Sequence, residues 1–377
     1  MLKSILILTA DAGFGHRRAA QAVSAALEEQ IGDDCQVQII NPIEDPDIPR
    51  LLKQAESGYD RIVIEDPELY LFTYKTSDTP LVASAMQDIF AVTLHKTLSK
   101  IIDRYQPDVV ITTYPAYIQA VIWALRERGT QTKTVVVITD LIDVHDLWFH
   151  KKASLTFVPT QDVYDQALER GLSADHIYYS GLPVHPAIAR EIRDKRTIRE
   201  SLEWDLNQTT ALIVGSTRNR HTAIITKLLD QSDLNLQIVA ISGGVPEVDD
   251  ELNRYNWCST VHTYGLVKNL PEMMMAADFI ICKAGGLIVS EALACGLPTI
   301  LYEALPGQEA GNVRYVVQNG AGVWAPGPTG ALSAVYSWLA GKENNLETFR
   351  LAAEKTGRPR AAYEIAEQIC RRILKVE

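Results

Sequence analysis

The sequence predicts an α/β protein built from two doubly wound, Rossmann-like domains. Three observations carry that prediction. Short apolar runs alternate with helical patterns in both halves of the chain, the pattern of parallel sheets covered by helices. Two of those runs end in glycine-bearing turns that feed a helix, at Asp11–His16 and at Gly285–Gly286. Between the halves, Gly181-Leu182-Pro183-Val184-His185-Pro186 has two prolines and no period, and reads as a linker. At 377 residues the chain exceeds what one core usually serves. The expected division is residues 1–185, residues 186–360 and a C-terminal helix at 361–377 that packs back on the first domain. A ligand cleft is expected between the domains, beyond the carboxyl ends of the strands.

The elements follow in order. Ile5–Leu8 is a strand, and Ala19, Ala20, Val23, Ala26, Leu27 and Ile31 share one face of the helix after the first turn. Gln36–Ile40 completes a βαβ unit. From about Pro42 to Thr93 the pattern is irregular and holds the aromatic residues Tyr59, Tyr70, Phe72 and Tyr74. An insertion of that size usually covers or forms a site. Regular units resume with a strand at Val109–Thr112, a helix at Ile118–Arg128 and strands at Thr134–Ile138 and Leu155–Val158. The helix near Asp162–Arg170 ends at Gly171 as a C-cap. Beyond the linker a charged helix is expected at about Ile188–Leu202. Strands follow at Ala211–Val214, Gln237–Ile241, Val261–Tyr264, Phe279–Ile281 and Thr299–Leu301, with a last helix at about Glu364–Leu374.

Composition narrows the function. Hydrophobic residues make up 47% and charged residues 22%, ordinary for a soluble globular protein. A net charge of −11 argues against nucleic acid held by general electrostatics. The five cysteines show no metal-ligand spacing, so reduced thiols in a cytosolic protein are expected. The apolar start of the chain is broken by Asp11 and His16, which makes it a buried strand rather than a signal peptide. No apolar run nears the roughly 20 residues of a membrane span, so membrane contact is expected to be peripheral.

The most informative stretch is Lys283–Pro298 with Pro306–Asn312. A bare Gly-Gly is weak evidence of a ligand. Here Gly285 and Gly286 open a helix whose free N–H groups suit a phosphate, and Ser290 and Glu291 lie on that helix. Gln308, Glu309 and Asn312 sit on the loop after the next strand. A phosphate turn beside hydroxyl-binding side chains suits a sugar nucleotide.

With these residues in view, the chain resembles the processive and plant-type glycosyl-diacylglycerol synthases, such as monogalactosyldiacylglycerol synthases and processive diacylglycerol glucosyltransferases. These are relatives of the peptidoglycan N-acetylglucosaminyl transferase. Asp11-Ala12-Gly13-Phe14-Gly15-His16-Arg17 is similar to the family's N-terminal loop. Val137-Ile138-Thr139-Asp140-Leu141 with His145 and Trp148-Phe149-His150 is similar to its mid-domain motif, and Gly181–Val184 to its linker. The Lys283–Pro298 and Pro306–Gly322 stretches resemble its donor motifs. Where members usually carry a glycine triplet, this chain has Gly215-Ser216-Thr217.

The resemblance implies a GT-B fold and an inverting transfer of galactose or glucose from a UDP-sugar to diacylglycerol. The resemblance places the uracil at Gly265, Leu266 and Val267 and the ribose on Glu291. Phosphate falls to Gly285 and Gly286, with Ser216 and Arg220 stabilising the leaving UDP. Gln308 and Glu309 would read sugar hydroxyls, supported by Asn312. On the other domain His16 is the candidate base, with Asp11 orienting it or acting in its place. Gly13, Gly15, Asp140, His145 and Trp148 would meet the acceptor. No cofactor or metal is required, and the location expected is the cytoplasmic face of a membrane. Transfer to another lipid or a soluble acceptor, epimerisation of a UDP-sugar, and a non-catalytic sugar-nucleotide sensor stay open as alternatives.

Overall fold

In the computed structural model, residues 2–11, 15–45, 48, 76–190, 194–215, 221–307, 309–340 and 346–376 are described. The chain divides into two units. The first holds Met1–Pro186, Pro306–Gln308 and Arg360–Glu377, and the second holds Ala187–Leu305 and Glu309–Pro359.

The first unit runs β1 (Lys3–Leu8), α1 (Gly15–Ile31), β2 (Cys35–Ile40), α2 (Pro80–Tyr105), β3 (Val109–Thr112), α3 (Ile118–Glu127), β4 (Lys133–Val137), β5 (Leu155–Val158), α4 (Gln161–Glu169) and β6 (Ile177–Tyr179). Its six strands pair in the order β2-β1-β3-β4-β5-β6, all parallel. The strands read as unbroken Val/Ile/Leu runs because both faces of the sheet are covered. Ile5 and Ile7 face a cluster with Ala20, Val23, Ala26 and Leu27 of α1. Leu6 and Leu8 face the other way, onto Leu94, Leu98 and Ile101 of α2 and Val121 of α3.

The second unit runs α5 (Ala187–Arg190), α6 (Lys195–Ser201), β7 (Thr209–Val214), α7 (His221–Asp230), β8 (Leu236–Ile241), α8 (Pro246–Arg254), β9 (Thr260–Tyr264), α9 (Leu270–Ala276), β10 (Phe279–Lys283), α10 (Gly286–Ala294), β11 (Thr299–Glu303), α11 (Ala310–Gln318), β12 (Gly322–Trp324), α12 (Gly327–Leu339) and α13 (Leu346–Thr356). Its strands pair in parallel in the order β12-β11-β10-β7-β8-β9. Phe279, Ile281, Ile300 and Tyr302 pack with Ile225 and Leu229 of α7 and Trp338 of α12. Buried Arg199 pins α6 to the sheet, donating to the Ala276 and Gln208 carbonyls and to Asp278 Oδ2 at 2.8 Å.

The chain ends with α14 (Ala361–Gln368), which continues as a π-helical turn over Ile369–Leu374. Ala362, Ile365, Ala366 and Ile369 join the α1 side of the first unit's core, and Tyr363 Oη donates to Glu29 Oε2 at 2.7 Å.

Two expectations change. The irregular stretch placed at Pro42–Thr93 contains the first half of the 26-residue helix α2. Pro80 opens it at a position where a missing N–H costs nothing. Apolar residues occur on its outer face as well as its inner one, Val82, Ile89 and Val92 against Ala83, Ala91 and Leu94, and this hides the helical period. The single charged helix expected at Ile188–Leu202 consists, among the described residues, of α5 and α6, the second capped by the Asp194 side chain. Tyr59, Tyr70, Phe72 and Tyr74 lie outside the described residues.

Candidate active site

A doubly wound sheet has a switch point, where successive connections leave on opposite faces and open a crevice beyond the strand ends. In the first unit the strand order places it between β1 and β3. The residues that follow those strands meet there. The Thr113 hydroxyl, just past β3, donates to the His16 carbonyl at 3.1 Å and lies 3.0 Å from the Thr9 hydroxyl. His16 stands in the first turn of α1, begun by Gly15, with its ring edge-on to Tyr114 at 5.1 Å. Beyond β4, the next strand over, come Thr139 and Asp140. Thr139 Oγ1 lies 2.6 Å from His16 Nδ1. The Trp148 ring is 6.1 Å from His16, and its indole N–H donates to Asp140 Oδ2 at 2.6 Å.

His16 therefore has a hydroxyl on one ring nitrogen and a carboxylate nearby. Burial pushes its pKa below the ordinary histidine value, while the Asp140 charge and the Thr113 backbone pull the other way. The net direction is down, so the imidazole is neutral near pH 7 and has a lone pair for a proton.

The other expected residues of this half take distinct places. Arg17 grips both Asp11 oxygens, with Nη2 at 2.7 Å from Oδ2, and Asn41 donates to the same oxygen at 3.1 Å. The Arg17 guanidinium holds the Asp11 carboxyl below the usual carboxylate range. His145 is buried. Its Nδ1 accepts from the Leu147 N–H at 3.1 Å, so the ring proton belongs on Nε2, 3.2 Å from Ser77 Oγ. Trp148 is fully buried and meets the site through Asp140. Gly13 lies outside the described residues. Thr139 is the neighbour that motif reading passed over as a site residue. Its position at the end of β4, directly before Asp140, was the available signal.

In the second unit the switch point lies between β7 and β10. Gly215 follows β7, and a Cβ there would sit 2.5 Å from Thr222 Oγ1 and 2.8 Å from the Ser242 carbonyl, so only glycine fits. Ser216, Arg220 and Gln308 lie outside the described residues. At the end of β10 the register slips between Cys282 and Lys283. The irregularity re-aims the strand end, and Lys283 Nζ meets Glu309 Oε1 at 2.7 Å. Glu309 Oε2 accepts from the Leu305 N–H at 2.8 Å.

Gly285 is the N-cap of α10 and brings no side chain to its N–H groups. Asn312, on α11, donates to the Ala284 carbonyl at 2.8 Å and so fixes this turn. Its buried Oδ1 has no partner among the described residues. Glu291 is buried on α10 and Ser290 is partly exposed beside it. Lys283, Gly285, Glu309 and Asn312 thus form one cluster. Gly265, Leu266 and Val267 follow β9, three strands from β10 and about 14 Å away by strand spacing. Leu266 there is 80% exposed. Among the described residues no group of three or more His, Cys, Asp or Glu is placed to hold a metal.

These two clusters fall in separately matched regions. The monogalactosyldiacylglycerol (MGDG) synthase family model matches residues 16–184, and that of the glycosyltransferase family 28 C-terminal domain matches residues 210–326. The chloroplastic monogalactosyldiacylglycerol synthase of Spinacia oleracea is 33% identical over 97% of this chain and 72% of its own length. Monogalactosyldiacylglycerol synthase 3 of Arabidopsis thaliana is 31% identical over 98% of this chain and 81% of its own. The chain belongs to the monogalactosyldiacylglycerol synthase family. As a member of this synthase family it is a UDP-sugar-dependent hexosyltransferase. The synthase match opens at His16 and takes in Thr139, Asp140, His145 and Trp148, while the second match takes in Gly215, Gly285, Glu291, Glu309 and Asn312.

Solved structures agree on the fold. The UDP co-structure of Staphylococcus aureus MnaA superposes with a TM-score of 0.61 at 15% identity, covering 98% of this chain and 96% of that one. Acinetobacter baumannii MurG gives 0.60 at 16% identity, covering 98% and 99%. No helix among the described residues is long and apolar enough to cross a membrane.

Proposed function

We propose that the protein transfers a hexose, galactose or glucose, from a UDP-sugar to diacylglycerol, with inversion, at the surface of a membrane. The observation that carries this is the likeness to MGDG synthases over 97% of the chain, with a polar cluster standing at each switch point. His16 is the base. With Nδ1–H donating to Thr139, Nε2 takes the proton of the acceptor hydroxyl as its oxygen attacks the sugar C1. The bond from C1 to the UDP oxygen breaks with its electron pair, and UDP leaves. Attack opposite the leaving group makes a β-glycoside.

Asp140 stabilises the imidazolium that forms, and Trp148 holds Asp140 in place. Asp11, engaged by Arg17 and Asn41, remains a carboxylate. On the donor half, the start of α10 takes a phosphate, where its N–H groups favour negative charge. Glu291 accepts the ribose hydroxyls. Glu309 and Asn312, with Gln308, read the sugar, and Ser216 and Arg220 stabilise departing UDP. Gly265–Val267 hold the uracil. The protein sits peripherally on the cytoplasmic side.

Incubation with labelled UDP-galactose or UDP-glucose, with and without diacylglycerol, tests the reading. A β-glycosyl-diacylglycerol formed only with acceptor present is the expected product. Failure to make glycolipid from either donor would overturn it, and a changed free UDP-sugar without acceptor would indicate an epimerase. Turnover near wild type in His16→Ala would remove the base assignment. Unchanged UDP affinity in Glu291→Ala would remove the ribose assignment.

A further inference from the structure

Helix α2 carries an outward stripe that the chemistry above does not use. Val82, Ile89 and Val92 are 40%, 62% and 69% exposed. At 100° per residue, Val82, Ala85, Ile89, Val92, Lys96 and Lys100 fall within about 80° of arc. All six are exposed, while Ala83, Ala91, Leu94 and Leu98 on the opposite side are buried. The stripe changes character along its length. Its apolar part spans about 15 Å, and the first lysine follows about 6 Å further on.

Helix α3 packs alongside. It sets Trp123 at the changeover, 43% exposed and with its ring 4.3 Å from His95 of α2. Exposed Arg126 follows one turn later. Three neighbouring acids have contacts of their own. Asp103 is gripped by Arg128 at 2.7 and 2.8 Å, Glu127 Oε2 lies 2.9 Å from His95 Nε2, and Asp88 accepts from Gln119 at 3.4 Å. Basic residues ending an apolar stripe stand out on a chain of net charge −11.

We propose that this α2–α3 surface is the seat on which the protein binds an anionic lipid bilayer. Val82, Ile89 and Val92 enter the headgroup–acyl boundary, Trp123 lies at its edge, and Lys96, Lys100 and Arg126 meet lipid phosphates. A second copy of the chain fits this surface less well. Parallel pairing of two stripes opposes lysine to lysine, and antiparallel pairing lays lysines on the apolar part. The inference rests on the glycolipid-synthase reading, whose acceptor is held in a bilayer.

Sedimentation with phosphatidylcholine vesicles, with or without phosphatidylglycerol and without sugar nucleotide, tests the seat independently of turnover. The wild type is expected to bind the phosphatidylglycerol vesicles and bind phosphatidylcholine alone far more weakly. Ile89→Ser/Val92→Ser, at exposed positions that leave the core intact, loses about tenfold or more in partitioning. Lys96→Gln/Lys100→Gln loses about thirtyfold on the anionic vesicles, from roughly 1 kcal/mol per lysine. Wild-type binding by the serine variant, or equal wild-type binding to both vesicles, overturns the proposal. So does a wild-type dimer that the serine variant converts to monomer. Transfer to dispersed short-chain diacylglycerol is the separate control. Absence of glycolipid there with vesicle binding intact counts against the enzyme reading and leaves the seat standing.

Discussion

The ion pair between Lys283 and Glu309 offers the sharpest test of how the cluster at the start of α10 is held. Their side chains are 15% and 8% exposed, and Nζ lies 2.7 Å from Oε1. At an effective dielectric constant of about 20, the attraction at that distance is about 6 kcal/mol before desolvation. Desolvation of both groups consumes most of it, so the pair adds little net stability, but removal of one partner strands a buried charge. Lys283→Met should cost about 3 kcal/mol, the low end for such losses, because the Leu305 N–H still serves Glu309. Glu309→Gln should cost about 2 kcal/mol, since the lysine stem can swing its ammonium outward. The double variant strands nothing and should cost about 1 kcal/mol or less, well below the sum of the two single costs. Urea unfolding followed by tryptophan fluorescence measures it. Trp204, Trp257, Trp324 and Trp338 all belong to the second unit, with Trp338 buried beside Phe279 and Phe349. Costs that simply add in the double variant would refute the argument.

Three further outcomes are expected. His16→Ala should lower kcat by about 10²–10⁴ with UDP affinity retained, as loss of a general base does, and Thr139→Val should lower it less. Parallel loss of UDP affinity in isothermal titration would point to a structural effect instead. His16, His145, His150, His185 and His262 all have folded pKa values pushed below the ordinary one by burial. Below about pH 6.5 the unfolded chain therefore binds more protons than the folded one. Stability is full above that pH and falls as pH drops toward the folded values. Tm measured against pH should decline on acidification from about 6.5, and the acid limb of kcat/KM should lie below that pH. A Tm that rises over this range would contradict the burial argument. Gly357→Ala would place a Cβ 2.0 Å from the Leu293 carbonyl at the end of α10, and should destabilise the second unit by about 3 kcal/mol or more in the same urea assay.

The fold was largely legible because parallel strands covered on both faces are apolar without interruption. Val109–Thr112 and Phe279–Ile281 announce themselves in this way, and β1 is recognisable even beside a charged turn. The first half of α2 was not legible. A helix that is apolar on both its core face and an outer stripe has no amphipathic period, and Val82, Ile89 and Val92 erased it. The short edge strands β6 and β12, each three residues long, were below what a pattern can separate from a loop.

The two candidate clusters, one in each unit, differ in the same way. The cluster of the second unit is written locally. Lys283, Gly285 and Gly286 stand at one strand end, and Glu309 and Asn312 return from the next loop to fix that turn. A reader of the sequence meets those residues within thirty positions of one another. The cluster of the first unit is assembled from the ends of three strands, with Thr113 and Thr139 lying 97 and 123 positions from His16 along the chain. No spacing rule links them. Only the strand order β1-β3-β4 brings them together, which is why His16 was recognisable as a candidate from its glycine turn while its neighbour Thr139 was not. The geometry around His16 belongs to the topology of the sheet. A substitution that shifts β4 against β3 should impair turnover while leaving the donor turn, built within the other unit, able to bind UDP.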